Sequence, residues 1–432
     1  MKNLNNRYKI LIIPGLFPFP PKDGGRICIY SFIEYLQHQH EIHLFTPVHN
    51  EQEQHLISEY KKNLPNVIIH APAFFSENQN NLPKKVFSKF KRKAIHLLQE
   101  ESSSGNKPKS ANKPVMNSSS LPSVPQGESF INELINVLEK NKFDIVQTEH
   151  TPTLNLIPLF APTSKKVFVN LEFLHAFTLD YASISDASRK KYIRYISENA
   201  KLLEYAYMAK YDAIFTLNKS DCDELQNNLP HLKVFNSPFP VLDAHMSENK
   251  KEDFIPEKLV FLGGENHSAN LDALDWFLND ILPHVNKKEK LELHVTGKWQ
   301  AKTIKRFQKI SSNVFFTGFV SDVNSVLKNS ISIVPIRLGG GGLRAKIIHS
   351  MAGGAPVITT SIAGIGLEAS HKSEYVVADT AKDFAAAIDD LLYDKNYCHK
   401  LIERSTEYIK NNFTQKILSE KRNGFYHTIM NN

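Results

Sequence analysis

Four consecutive glycines, Gly339 to Gly342, run directly into Leu343, Arg344 and Lys346 in the segment IVPIRLGGGGLRAKIIHSMAGGAPVITT. Ile331 to Ile336 reads as a buried parallel strand, and Leu343 to Ala352 as a helix with apolar residues at Leu343, Ile347, Ile348 and Met351. Gly353 and Gly354 end that helix, Pro356 blocks its continuation, and Val357 to Thr360 is the next strand. Glycines between strand and helix let an anion approach the backbone, and the helix's free N–H groups and positive end favour it there. Arg344 and Lys346 add cationic charge in the first turn. An ordinary tight βα connection needs one or two glycines; four in a row with two cations point to a pyrophosphate seat through Gly340, Gly341, Gly342, Leu343, Arg344 and Lys346.

Other side chains suited to chemistry stand at predicted strand ends. FDIVQTEH delivers Glu149 and His150, and VNLEFLHAF delivers Glu172 and His175. A carboxylate or imidazole at such a place can move a proton, although polar residues at strand ends are common without any function. Gly24 and Gly25 follow the first strand, and His267 and Asn270 follow a later one. Asp221-Cys222-Asp223 has the spacing of a metal site, but it opens a helix after the strand DAIFTLN, where Ser and Asp cap free N–H groups; capping is the favoured reading. No GxxxxGK[ST] loop and no GxGxxG with a downstream acid occur, which argues against an ATPase and a dinucleotide oxidoreductase.

These residues need a scaffold, and the alternation of strand-like and helical runs is that of parallel α/β sheets. Tyr8–Ile13, Glu41–Thr46, Asn66–His70, Phe143–Thr148, Lys166–Asn170 and Tyr211–Leu217 read as strands of a first half. Helices are expected from Gly24 to about Gln39, from about Ser185 to Ala209, and over Lys219–Asn228. The composition changes near 230–256, where Asn236-Ser237-Pro238-Phe239-Pro240 and EDFIPEK read as a linker. Lys258–Leu262, Leu293–Thr296, Val314–Phe316, Ile331–Ile336, Val357–Thr360 and Tyr375–Val377 restart the pattern. The expected domains are 1–245, 246–412 and a helical tail, 413–432, packing back on the first half. Residues 101–128, rich in Ser, Pro, Lys and Asn, read as a disordered insertion. Before them, 84–98 reads as a basic amphipathic helix: either a domain helix with a solvated basic face or a contact with an anionic membrane.

Composition sets outer bounds. The chain has 432 residues, 41% of them hydrophobic, enough for two or three cores. A formal charge of +7 is too mild and too local for a dedicated nucleic-acid binder. Cys28, Cys222 and Cys398 lie far apart with no metal-like spacing, so a reduced, cytoplasmic protein without a metal centre is expected. The apolar run Ile10–Ile13 is broken by Pro14 and Gly15, which reads as a strand rather than a signal peptide.

Two Rossmann-like halves, a C-terminal phosphate seat and a glycine pair after the first strand together resemble a GT-B glycosyltransferase of family 4, the group 1 transferases. PGLFPFPPKDGGRICIYSFIEYLQHQHEIHLFTP is similar to the family's opening, and KLVFLGGENHSANLDALDWFLNDILPHV to the start of its second domain. FFTGFVSDVNSVLKNSISIVPIRLGGGGLRAKIIHSMAGGAPVITTSIAGIGLE resembles its donor-binding core. The resemblance implies retaining transfer of a hexose from a nucleotide-sugar, UDP- or GDP-linked, to a glycan, glycolipid or glycoprotein acceptor. It needs no obligatory metal, because preorganised N–H groups and cations stabilise the leaving diphosphate. It places Arg344 and Lys346 by the diphosphate, Gly318, Phe319 and Val320 around the base, and Gly24 and Gly25 where donor and acceptor need room. His267 and Asn270 would face the donor, and Glu149, His150, Glu172 and His175 would act near the sugar. The chain also departs from the family. Its Glu-x7-Glu pair is here Gly341 and His349, and a neutral imidazole can still bind a ribose hydroxyl. VNLEFLHAF reverses the order of a His-Asn-x-Glu motif. The departures leave open a catalytically degenerate GT-B subunit that binds or activates a partner; a nucleotide-sugar epimerase is the other alternative.

Overall fold

The computed structural model describes residues 7–431 apart from 22, 74–125, 184–186, 243–244, 247–253, 287, 321 and 340–341. The 84–98 helix, most of the 101–128 insertion, and Gly340 and Gly341 therefore lie outside the described residues.

The first half alternates strand and helix: β1 (Lys9–Pro14), α1 (Gly24–Leu36), β2 (Glu41–Phe45), α2 (Glu51–Tyr60), β3 (Val67–His70), α3 (Glu128–Lys140), β4 (Ile145–Glu149), β5 (Lys165–Asn170), α4 (Leu174–Ser183), α5 (Ala187–Met208), β6 (Ala213–Thr216), α6 (Lys219–Asn228) and β7 (Lys233–Asn236). The strands form one sheet in the order β3-β2-β1-β4-β5-β6-β7, every neighbouring pair parallel. Strands such as ILII of β1 are buried on both faces, the reason they read as continuous apolar runs.

The second half holds β8 (Lys258–Phe261), α7 (Ser268–Trp276), β9 (Glu292–Thr296), α8 (Ala301–Gln308), β10 (Val314–Gly318), α9 (Val323–Leu327), β11 (Ser330–Val334), α10 (Ala345–Ala352), β12 (Val357–Thr359), β13 (Val376–Val377), α11 (Ala381–Tyr393), α12 (Lys395–Asn412) and α13 (Gln415–Met430). Its parallel sheet runs β10-β9-β8-β11-β12-β13. Strand order reverses between β1 and β4 in one sheet and between β8 and β11 in the other. Open parallel sheets bind ligands beyond the strand ends at such reversals. The loops there carry Gly15 to Gly25, His150, Gly263 to His267 and the glycine run.

Several boundaries differ from the sequence expectation. Lys233–Asn236, given no element of its own within the region of composition change, pairs with β6 as a seventh strand. Glu128, assigned to the insertion, opens α3. The glycine-loop helix begins at Ala345, so Arg344 is its cap residue rather than part of its first turn. Asn218, not Asp221, caps α6: its side chain accepts the Asp221 N–H at 2.8 Å.

The last helix returns to the first half. Tyr8 OH meets His427 Nδ1 at 2.8 Å, Tyr35 OH donates to Glu420 at 3.0 Å, and Tyr426 OH donates to Gln147 Oε1 at 2.5 Å. Arg422 is fully buried, with Nε donating to Ser237 Oγ at 2.9 Å and its guanidinium 3.3 Å from the centre of the Phe32 ring. Val241 bridges Thr414, so the two crossings between halves run side by side. No helix of the described residues is long and apolar enough to cross a membrane.

Candidate functional site

The N-termini of α1 and α10 meet across the cleft. Asp23 caps α1, accepting the Arg26 N–H at 3.0 Å, and a Cβ on Gly24 would lie 2.9 Å from Ala345 Cβ, in the first turn of α10. Glycine at 24 is what allows this approach. Both helices present free N–H groups and positive ends to the same space.

Two cations line it. Lys346 Nζ donates to Asn270 Oδ1 at 2.5 Å and lies 5.0 Å from the Phe261 ring centre. Those partners are neutral, and the charge acting on Lys346 is that of Arg344, also positive. Desolvation, with Arg344 adding to it, pushes the Lys346 ammonium down to about 7. Asn270 is fixed in turn by donating Nδ2 to Gly264 O at 2.8 Å. Gly263, at φ +151, leaves room for that amide, since a Cβ there would sit 2.6 Å from Asn270 Nδ2. His267 belongs to the same field: desolvation lowers its pKa, Lys346 and Arg344 lower it further, and Asp23 opposes them. The structure thus brings Gly24, His267, Asn270, Arg344 and Lys346 together, with Gly25 next along α1, and the helix ends and cationic side chains there suit an anion.

Around this pocket the other expected residues separate into groups. Gly318 ends β10 with φ +73 and open space beside it, and its carbonyl accepts the Gly297 N–H at 2.7 Å; Phe319 beyond it is exposed. His349, on α10, is buried with no protein partner on either ring nitrogen, and its ring centre is 5.1 Å from that of His245. Burial, reinforced by His245, drives its pKa to about 3, so the ring is neutral and offers one donor and one acceptor. His150 has φ 76 at the end of β4, a conformation L-residues rarely adopt, and packs on Gly15. Its Nδ1 is buried without a partner, and burial lowers its pKa to about 4.

Two expected acid–base residues are not brought to the cleft surface. Glu149 is 1% exposed, accepting Gln147 Nε2 at 2.6 Å on the face covered by α13. Burial raises its pKa against the opposing pull of Arg422 and Gln147. His175 is clamped between Glu204 at 2.7 Å and Glu224 at 3.4 Å. Burial opposes its charge, but those two carboxylates prevail and raise it to about 9. Its imidazolium is an ion-pair element of α4, α5 and α6. Glu172 stays near the glycine loop, its Cβ 3.6 Å from where a Gly342 Cβ would be.

Sequence reasoning missed how the glycine loop is held. Gly342, at φ +73, faces the first half: a Cβ there would be 3.0 Å from Leu171 O. Its backbone also lies near enough to Asp221, in the first turn of α6, to favour that carboxylate's charge. A Cβ on Gly366 would lie 2.5 Å from Asn218 Cβ, closing a second contact beside it. Only the fold puts these distant segments together; the DCD spacing carried no such signal.

Two parallel Rossmann-like sheets with their switch points facing one cleft define the GT-B architecture. Residues 256–394 match the family "Glycosyl transferases group 1". The whole chain resembles the crystal structure of TarM with a TM-score of 0.66 at 14% identity, covering 100% of both chains. It resembles sucrose-phosphate synthase from Thermosynechococcus elongatus with a TM-score of 0.64 at 13% identity, covering 98% of this chain and 99% of that one. Anabaena HepE in complex with UDP aligns at 0.59 and 8% identity over 97% of this chain and 100% of its own. In sequence, the "Uncharacterized 44.6 kDa protein in cps region" of Klebsiella pneumoniae is 23% identical over 231 residues, spanning 50% of this chain and 58% of that protein's length.

Proposed function

We propose that this chain is a retaining glycosyltransferase that moves a hexose from a nucleotide-sugar to a glycan, glycolipid or glycoprotein acceptor. The observation that carries the reading is the head-to-head meeting of α1 and α10 beside Arg344 and Lys346. As the bond from sugar to diphosphate breaks, negative charge grows on the leaving oxygen. Cations and N–H groups already in place stabilise it without reorganisation and without an obligatory divalent metal.

In this reading the diphosphate lies against Arg344, Lys346 and the α10 N-terminus, with His267 and Asn270 at its side. His349 takes the ribose, since its two buried nitrogens lack protein partners and a pair of hydroxyls would satisfy both. The backbone of Gly318, Phe319 and Val320 lines the base. His150 and Glu172 flank the sugar from the first half. Two relatives in fold support a nucleotide-sugar donor, taken here as a UDP- or GDP-sugar: TarM has been crystallised with UDP and alpha-GlcNAc-glycerol, and HepE with UDP and glucose. The proposal includes a cytoplasmic enzyme lying peripherally on an anionic membrane through 84–98, tested by vesicle sedimentation at low and high salt.

The deciding experiment is calorimetric titration with UDP, GDP, ADP and their sugar conjugates, with and without magnesium. Selective, metal-independent binding of one diphosphate is expected, followed by transfer in an acceptor screen. Absence of binding to any of them overturns the reading. Binding without turnover would favour a degenerate GT-B subunit, a reading that the sealed Glu149 and the ion-paired His175 motivate.

A further inference from the structure

Asp221 is 5% exposed, and its Oδ2 is buried with no hydrogen-bond partner. The turn that carries it nevertheless abuts the opposite half: a Cβ on Gly366 would lie 2.5 Å from Asn218 Cβ, and the Gly342 backbone is near enough to favour the charge on Asp221. Asn218, which caps α6, fixes the first turn that carries it. Burial without full pairing is costly for a carboxylate, and it raises Asp221 to about 6 against the opposing Asn218 and Gly342. His175 is the cation near it, but that imidazolium is already committed to Glu204 and Glu224. A helix cap does not require this arrangement, since Asn218 already does the capping.

A carboxylate oxygen that is enclosed, fixed and lacking a donor matches a ligand hydroxyl. Such an oxygen discriminates strongly, because a ligand lacking the hydroxyl leaves it buried and unpaired. Gly342 lies two residues before the Arg344 cap of α10, so a group bonded to the seated diphosphate reaches Asp221 next. In a nucleotide-sugar that group is the sugar. We propose that Asp221, supplied by the first half, reads a hydroxyl of the donor hexose and thereby sets sugar selectivity. This rests on the nucleotide-sugar reading above.

The test compares UDP and GDP with UDP-glucose, UDP-galactose, UDP-N-acetylglucosamine and GDP-mannose, on wild type and Asp221→Asn, by calorimetry. The wild type is expected to bind one conjugate more tightly than its bare diphosphate. Asp221→Asn should leave diphosphate affinity within about twofold and lose about tenfold on the conjugate, the scale of one hydrogen bond to a charged group. Equal loss on both ligands would make Asp221 a simple latch between the halves, and no loss on either would remove it from the site; each result overturns the proposal. If the variant does not fold, the wild type is titrated with monodeoxy versions of the preferred conjugate. One deoxy position should then account for the sugar's contribution, and equal affinity for every deoxy donor overturns the proposal. Failure of wild type to bind any diphosphate would instead sink the underlying functional reading, and this inference with it.

Discussion

Lys346 allows a quantitative prediction: binding of a nucleoside diphosphate must bring a proton with it. In the free protein its ammonium is pushed down to about 7, against an ordinary 10.5, by desolvation and by Arg344. At pH 8 about nine-tenths of the free molecules then carry a neutral Lys346. A diphosphate at the α10 N-terminus reverses the local field, and the amine is protonated in the complex. About 0.9 proton should be taken up per ligand at pH 8. Titration in buffers of different ionisation heat measures this directly. The ligand's own phosphates are fully ionised at that pH and contribute little. Lys346→Met, which keeps an unbranched apolar stem without the amine, should abolish most of the uptake. It should also cost about 1.5–3 kcal/mol at pH 7, the worth of a charge-assisted contact, or roughly ten- to a hundredfold in affinity. Above pH 7 the wild-type advantage should shrink by about tenfold per unit, because protonation becomes part of binding. A wild-type-to-variant ratio that stays flat from pH 7 to 9, with no uptake at pH 8, would refute the assignment of Lys346 to the diphosphate. The sign for stability runs the same way. Between about 7 and 10.5 the unfolded chain holds a proton that the folded one does not, so this group makes ligand-free stability rise with pH across that window, and bound ligand removes the dependence.

Three further perturbations separate site from scaffold. Gly24→Val puts a branched side chain where even a Cβ would be 2.9 Å from Ala345; turnover should fall by up to about a hundredfold through misplaced helix ends, with a stability loss of no more than about 1–3 kcal/mol. Arg422→Met should do the opposite, costing about 3–5 kcal/mol in urea titrations because it breaks a fully buried charged network under α13, with nucleotide affinity retained. In Glu204→Gln, His175 loses its nearest carboxylate. Its folded pKa, raised to about 9, gives stability that is complete below 6.5 and lost as pH rises through 9. The variant's melting temperature should therefore fall further below wild type at pH 6 than at pH 10, where only the backbone N–H bonds that the Glu204 carboxylate accepts are still missed; an equal deficit at both would exclude the ion pair as the cause.

The alternation of apolar runs with amphipathic ones made both sheets legible, because parallel strands buried on two faces must be continuously apolar. The glycine loop was legible for a local reason too: strand, glycines, cations and helix stop follow one another within thirty residues of chain. Lys233–Asn236 escaped because VF between polar residues is too short for a period, and its strand character comes from pairing with β6. Glu149 and His175 have suitable types at suitable strand ends, but nothing local announces their partners. Arg422 and Gln147 surround one from nearly three hundred residues apart in sequence, and Glu204 and Glu224 capture the other from neighbouring helices.

The distribution of unmet requirements now says more than the residue types did. His150 is held at positive φ with a buried, unpartnered nitrogen. Lys346 is desolvated beside a like charge, His349 has two orphan nitrogens, and Asp221 has an orphan oxygen. Each arrangement costs folding free energy, and such costs persist where the surrounding structure enforces them. The demands are also complementary to one kind of molecule. Lys346 has only neutral partners, His349 lacks a donor and an acceptor together, and one oxygen of Asp221 lacks a donor. Diphosphate, vicinal hydroxyls of a ribose and a sugar hydroxyl supply those in the order in which α10 and the glycine loop present the need. A scaffold retained only for docking a partner would gain stability by relieving these positions, since none of them lies on an outer surface. Their joint persistence on one cleft is the physical reason to favour a site that still binds its nucleotide-sugar over one that has lost it.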